Sequence, residues 1–402
     1  MLYPSLLTKE LNERREEFVN FDRSWRERTS DYAGRLLALR PDALGEIERS
    51  PLFAKKAGAL PSHELESAGS MVIPFGLTWR NHEEARRWAI DALHGRTTFA
   101  ADGSQLLPGR EISMPIAVVQ VAWFENPHTG DQPYEKQARC SIISPEELLA
   151  RTEERINAET IVGLHRFKLE IEEIKRFLEK KKDWRLQRER TPVAFFDGTL
   201  LISIGQPKTR IQNDYVQALV DLIKFSRDVH VPVVGYVDQS YARDLVRLID
   251  EIHPTGTDAN ALSIYDAQFL HAEVDGYGAA VLRAWGDRTA FCYSRREGFD
   301  DEEGRPLVGF TYMQMTGEGA PARLDVPAWV YEAGLLDDVV DAVRAECVSG
   351  LGYPYAIEAA DEASFISGRD RAQFLRILQE FSEKNGFGFN VSRKAVSKVR
   401  RR

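Results

Sequence analysis

The sequence predicts an α/β protein: a mixed sheet flanked by helices, with a helical N-terminal extension and a basic C-terminal tail. Three observations predict it. From Thr191 onward the chain alternates strand and helix, as TPVAFFDGTLLIS, DYVQALVDLIKFSRD, VPVVGYVD and SYARDLVRLID, an order that implies parallel neighbours in a sheet. Upstream, ISMPIAVVQVAWFEN (Ile112 to Asn126) is β-rich, and GDQPYEKQARCSII is placed to pair with it. Between these blocks Leu164, Phe167, Ile171, Ile174 and Leu178 repeat at helical spacing and make one apolar stripe.

The first ninety-odd residues are polar and helical in pattern, with few packing residues, so an arm or helical layer is expected there. HEEARRWAIDALHG reads as a helix stopped by Gly95. RTTFAADGS is a strand running into a turn. Ser144-Pro145-Glu146-Glu147 is a helix start, with proline at the first helical position and acids in the first turn. A long helix or helix pair follows towards Arg190. Later, DRTAFCYSRR, LVGFTYMQMT and ARLDVPAWVYEA read as strands. LLDDVVDAVRAECVS, YPYAIEAADEASFIS and DRAQFLRILQEFSEK return to helix. The division expected is a helical region over 1–95, a principal domain over 96–378, and a helix end with a basic tail over 379–402.

The 402 residues are 43% hydrophobic and 29% charged, an ordinary soluble composition. No apolar run has the length of a membrane span, and the N-terminus lacks signal-peptide features, which places the expected location in the cytoplasm. Cys140, Cys292 and Cys347 are far apart and odd in number, without zinc spacing. A net charge of −9 argues against a simple nucleic-acid coat. Two basic runs stand out, Lys175 to Arg190 and Arg393 to Arg402, each either a phosphate or partner contact or an ordinary solvated surface. No GxxxxGK[ST] is present, which excludes P-loop ATP hydrolysis, and no Ser/His/Asp spacing supports a nucleophile-type hydrolase.

One short phrase is written twice. TFAADGSQLL (Thr98 to Leu107) and VAFFDGTLL (Val193 to Leu201) each end an apolar run in Asp-Gly-hydroxyl and then continue apolar. Asp-Gly is the usual punctuation of a turn, and Asp275-Gly276 reads as one. Asp102 and Asp197 differ because apolar residues lie on both sides, and a carboxylate buried there needs a partner or a cation. Two carboxylates on neighbouring strand ends would make a hard oxygen site for Mg²⁺ or Mn²⁺. Glu170 lies on the flank of the helical stripe, while Glu172 and Glu173 fall on the solvent side. On spacing alone the plainer reading of Glu170 is a rim glutamate paired with Arg166 four residues earlier. In LGYPYAIEAADEASFIS, Asp361 sits beside small apolar residues, and on spacing alone a surface aspartate between Glu358 and Glu362 is favoured.

Taken in order, these motifs resemble the NurA family of DNA-repair nucleases. FAADGSQL resembles the first acidic motif, LHRFKLEIEEI the second, VAFFDGTLL the third and GYPYAIEAADEASFIS the last, over about Arg96 to Leu378. The resemblance implies a ribonuclease H-like fold and a two-metal DNA nuclease, cutting single strands and working from 5′ ends with Mn²⁺ (or Mg²⁺). It implies Asp102, Glu170, Asp197 and Asp361 as metal ligands, with Glu173 the alternative to Glu170 and Tyr353 as a positioning group. It further implies a homodimer and a HerA-type hexameric ATPase as partner in end resection and double-strand break repair. Two positions depart from the family pattern: Asp361 stands where a histidine is common, and Asp238 where a lysine is common. The first departure motivates an alternative, a decayed nuclease serving as a DNA-binding or ATPase-docking adaptor. A ribonuclease H-like enzyme acting on RNA or branched DNA is a further alternative.

Overall fold

The computed structural model describes residues 2–41, 45, 58–109, 112–150, 157–202, 209–252, 264–274, 279–317 and 319–389. The expected turn at 275–276 and the basic run at 393–402 lie outside them. In chain order the elements are α1 (Pro4–Glu13), α2 (Arg15–Leu37), β1 (Ala59–Pro61), α3 (Glu64–Ala68), β2 (Val72–Ile73) and α4 (His82–Leu93). Then come β3 (Thr98–Leu106), β4 (Ala117–Asn126), β5 (Glu135–Ile143), α5 (Pro145–Ala150), α6 (Ala158–Lys181), β6 (Val193–Asp197), α7 (Arg210–Val229) and β7 (Val233–Val237). They are followed by α8 (Asp244–Ile252), α9 (Asp266–His271), β8 (Glu273–Val274), β9 (Ala279–Ala280), β10 (Arg288–Thr289), β11 (Cys292–Ser294), β12 (Val308–Met313) and β13 (Ala322–Pro327). The chain closes with α10 (Ala328–Glu332), α11 (Leu336–Ser349), α12 (Tyr355–Ser364) and α13 (Gly368–Asn385).

These elements form two compact units interleaved along the chain, 1–78 with 236–328, and 79–235 with 329–402. The limits between these units fall at 78, 235 and 328, where the chain passes from one to the other. The first unit is built on antiparallel strands: β1 pairs with β11, β11 with β12, and β12 with β13, while β10 joins β12 to β2. Its core draws Tyr32 and Leu36 from α2, Leu245, Leu248 and Ile249 from α8, Phe269 from α9, and Phe310 and Tyr312 from β12. The strands β1 and β2 correct the expectation of a purely helical start; each is too short to show a period in sequence and exists only through its partner.

A polar cluster is sealed into this unit. Arg323 donates from Nη1 to Asp244 Oδ2 at 2.6 Å and from Nε to Asp325 Oδ1 at 2.7 Å. Arg296 Nη2 reaches Asp244 Oδ2 at 3.0 Å. Asp266 accepts the backbone N–H groups of Asp244, Leu245 and Val246 at the start of α8, and the Tyr312 hydroxyl at 3.0 Å. Burial works to raise the Asp244 carboxyl, but Arg323 and Arg296 overcome it and hold it below the usual carboxylate range. Burial and the charge of Asp244 push Asp266 up to about 7, against the N–H groups of Val246 and Leu245.

The second unit carries a mixed sheet flanked by helices. Its strand order is β7-β6-β3-β4-β5, with β3 parallel to β6 and antiparallel to β4. Val193, Ala194 and Phe195 of β6 are fully buried, each large side chain contributing about 1.5–3 kcal/mol. The helix α6 begins where Asn157 accepts the Thr160 N–H at 2.8 Å, and ends with Lys180 and Lys181 in its last turn. Ser144 and Glu147 cap the start of α5 reciprocally, as Ser-Pro-Glu-Glu predicts.

Several expected elements change at their ends. The strand expected over TPVAFFDGTLLIS stops at Asp197, because Gly198 turns the chain at φ +125°. DRTAFCYSRR divides into β10 and β11, and ARLDVPAWVYEA switches from β13 to α10 after Pro327. The strand β3 does the reverse: it runs straight through Asp102 and Gly103 to Leu106, paired throughout with β4. Asp102 therefore sits within a strand and not at its end.

Candidate active site

The register of β3 on β6 brings the two copies of the phrase side by side. Thr98 pairs with Val193, Ala100 with Phe195 and Ala101 with Phe196, so the next pair in line is Asp102 with Asp197. Side chains alternate between the faces of a strand, which puts both aspartates on one face. That face is covered by α12, whose Ser364 donates from Oγ to Asp102 Oδ2 at 2.6 Å. The loop leading into α12 supplies Tyr353, whose hydroxyl donates to Asp197 Oδ1 at 2.8 Å. The start of α12 is pinned by buried Glu346, which accepts the Ala356 N–H at 2.9 Å and meets His128 Nε2 at 3.2 Å. His128 Nε2 lies 2.9 Å from Thr98 Oγ1, at the root of β3.

The opposite face carries α6. Phe99 stacks on Phe177 with centroids 4.6 Å apart, and Phe196 meets Phe167 edge-on at 5.8 Å. Gly103 points to the same side. A Cβ there would lie 2.6 Å from Glu170 Oε1 and 2.7 Å from Arg166 Cγ. The glycine thus opens the strand so that Glu170 can approach from behind. In the second phrase the glycine has another reason: Gly198 adopts a φ of +125°, which side-chain-bearing residues rarely reach.

Four carboxylates act on one another here. Burial pushes Glu170 up to about 8, Arg166 opposes it, and the charges of Asp102 and Asp197 add to it. Asp197 is exposed yet partly desolvated by its neighbours, which raises it; the Tyr353 hydrogen bond opposes, and Asp102 and Asp361 raise it further. Asp361, on the open side of α12, is raised by loss of solvent, by the charge of Asp102 and by a hydrogen bond shared with it. The structure therefore brings together Asp102, Glu170, Asp197, Asp361 and Tyr353. It moves Glu173 elsewhere: only 3% exposed, that residue pairs with Arg139 at 3.0 Å and Arg176 at 2.9 Å. The solvent-facing position expected for Glu173 is corrected by Arg139 of β5, which folds over it. Asp238 is exposed just beyond β7.

The run from Lys175 to Arg190 is largely tied up within the chain. Lys180 pairs with Glu125, Lys181 with Glu189, Lys182 with Glu179, and Arg176 with Glu173. Sequence reasoning overlooked Ser364, Glu346 and the role of Arg166 beside Gly103. Ser364 follows Asp361 by three residues and shares its helical face, a signal that was available.

Every donor in the cluster is a carboxylate oxygen, the class that Mg²⁺ and Mn²⁺ take. Glu170 Oε1 is buried without a hydrogen-bond partner, an acceptor that a cation would satisfy. As the side chains stand, no group of three or more His, Cys, Asp or Glu among the described residues is close enough to hold a metal ion. The fit is one of chemistry, with the Asp102 and Asp197 oxygens engaged by Ser364 and Tyr353.

Two aspartates side by side on β3 and β6, with a glutamate from α6 and an aspartate from α12, define the class: an acidic, nuclease-type site. The NurA domain is recognised across residues 96–364, and the chain belongs to the NurA family of nucleases. No curated protein matches it in sequence. A crystal structure of NurA is similar with a TM-score of 0.42 and 10% identity, covering 73% of this chain and 91% of that one. The catalytic domain of human Endonuclease V gives 0.31 and 12%, covering 77% of this chain and 96% of that one. Ciona intestinalis Endonuclease V, in complex with a 24mer DNA containing an inosine followed by a ribo-adenosine, gives 0.27 and 11%, covering 73% and 96%. No helix among the described residues is long and apolar enough to cross a membrane.

Proposed function

We propose that the chain is a metal-dependent DNA nuclease, with its nuclease domain over residues 96–378 and its site at Asp102, Glu170, Asp197 and Asp361. The observation that carries this reading is the β3–β6 register, which sets Asp102 beside Asp197 on one face while Gly103 admits Glu170 from the other. The four carboxylates would hold a pair of Mn²⁺ or Mg²⁺ ions, which when bound would supply Lewis acidity for water activation and for the leaving 3′ oxygen. Ser364 holds one oxygen of Asp102 and Tyr353 one oxygen of Asp197, which restricts the rotation of each carboxylate and leaves its other oxygen available. Glu346 holds the start of α12 in place, so both hydroxyls arrive from one braced segment.

The reading includes 5′–3′ exonuclease and single-strand endonuclease action in DNA end resection, in the cytoplasm, by a homodimer partnered with a HerA-like hexameric ATPase. The family membership supports it. The run at 393–402 is a further DNA or partner contact. The test incubates 5′- and 3′-labelled single-stranded DNA with Mn²⁺, with and without the ATPase. Asp102→Asn and Asp197→Asn are expected to lose at least about a hundredfold in cleavage, about 2.7 kcal/mol of barrier. Wild type that binds the ATPase yet cuts nothing would establish the adaptor in place of the nuclease.

A further inference from the structure

Among the described residues, Arg166 is the one cation that opposes the raised carboxyls of both Glu170 and Asp197. Its arrangement is unlike that of a plain ion-pair partner. A guanidinium that serves only to neutralise a carboxylate closes on it at about 2.7–2.9 Å, often through two parallel bonds. Arg166 instead donates from Nη1 to the Gly103 carbonyl at 2.7 Å. Its Nε stops 3.5 Å from Glu170 Oε1, and both atoms are buried without a hydrogen-bond partner. The side chain as a whole is 40% exposed. The guanidinium is therefore braced against the strand backbone, directed by that brace rather than by Glu170, on a side chain that is open in part to solvent beside the acidic cluster.

A nucleic acid strand entering this cluster meets four carboxylates. Each phosphate–carboxylate pair about 4 Å apart costs about 1 kcal/mol even in bulk water, and more where water is excluded. A fixed guanidinium beside Glu170 offsets that repulsion, and its planar fork matches a phosphate's oxygens. We propose that Arg166 binds a backbone phosphate of the DNA strand at the cleavage site, with the Gly103 carbonyl holding it in position to do so. The inference rests on the nuclease reading and adds to it the residue that touches the substrate's backbone.

The experiment measures binding of a fluorescent single-stranded oligonucleotide in Ca²⁺ across a salt series, for wild type, Arg166→Lys and Arg166→Gln. Each phosphate contact to a single strand contributes about 0.7 to the slope of log affinity against log salt. Arg166→Gln is expected to bind more weakly and to lose about 0.7 of slope, while Arg166→Lys keeps the slope. Mn²⁺ should still raise the melting temperature of both variants. An Arg166→Gln slope equal to that of wild type, even with impaired cleavage, overturns the inference and leaves Arg166 as a brace for Gly103 and Glu170. Should Arg166→Gln not fold, Arg166→Lys decides: a several-fold rise in KM for DNA supports the fork, and an unchanged KM overturns it. Wild type that neither cuts nor binds DNA sinks the nuclease reading and the phosphate contact together, whereas normal cutting with no slope change removes the contact alone.

Discussion

The two units each hold a cluster of acids, and the clusters are built to opposite rules. In the first unit Asp244, Asp266 and Asp325 meet Arg296 and Arg323, and the carboxylates accept from guanidinium, backbone N–H and tyrosine hydroxyl groups. Asp244, Asp266, Asp325 and Arg323 are each 1% exposed or less. In the second unit Asp102, Glu170, Asp197 and Asp361 gather with Arg166 beside Glu170 and acting on Asp197, one oxygen of Glu170 has no hydrogen bond, and Asp197 and Asp361 are open to solvent. A polar cluster that only holds a fold together is closed and close to balanced. One that is left acid-rich and open carries stored electrostatic cost, which a ligand can relieve.

The largest effect should come from breaking the closed cluster. Arg323→Ala leaves Asp325 without that cation and Asp244 with Arg296 alone, and loss of one partner from a buried pair costs about 3–5 kcal/mol. Calorimetry should register a clear fall in melting temperature, with cleavage per folded molecule retained; a melting temperature equal to wild type would show that the cluster does not stabilise the unit.

The next effect separates the clusters by pH. Glu170 is raised from 4.5 to about 8 by burial, so the folded chain keeps a proton that the unfolded chain releases. Its contribution to stability therefore worsens as pH climbs from about 4.5 and is fully adverse above about 8. Asp244 has the opposite sign: its carboxyl is held below 3.8, so its contribution is present above that value and is lost on acidification. Glu170→Gln, in metal-free solution, is expected to stabilise the chain at pH 8 by a few kcal/mol and to do little at pH 4.5. Denaturant titrations at the two pH values check this; equal gains at both would mean that the carboxylate charge is not the cause.

The smallest effect sharpens the open cluster. Tyr353→Phe and Ser364→Ala each remove one hydroxyl from an aspartate while sparing the packing. Partners of this kind change metal affinity by about 10–100-fold, and the lower end is expected here. Calorimetric titration with Mn²⁺ reads it directly, and Ser364→Thr should restore what Ser364→Ala loses. Undiminished Mn²⁺ binding in both single variants would show that the hydroxyls do not orient the aspartates.

Much of this was legible in the sequence where a feature is local. The doubled phrase, the helical stripe that places Glu170, and the caps of α5 and α6 all depend on residues a few positions apart. Features set by distant residues were not. Nothing near Glu173 announces that Arg139 will cover it. Asp102 reads as a strand end because Asp-Gly ends strands so often, and only the full pairing of β3 with β4 carries the strand past it. The same limit hid β1 and β2, and the return of residues 236–328 to pack with the N-terminal segment.

The two glycines of the phrase have different kinds of dependence, and this bears on how the sequence can drift. At Gly198 the constraint lies in the residue's own backbone, so no change at a neighbour removes it. At Gly103 the constraint belongs to Glu170 and Arg166, whose side chains fill the space a Cβ would take. A methyl group at 103 becomes tolerable once one of those side chains shortens. Positions 103, 166 and 170 are therefore linked, so that the cost of a change at 103 depends on what stands at 166 and 170, while position 198 stands alone.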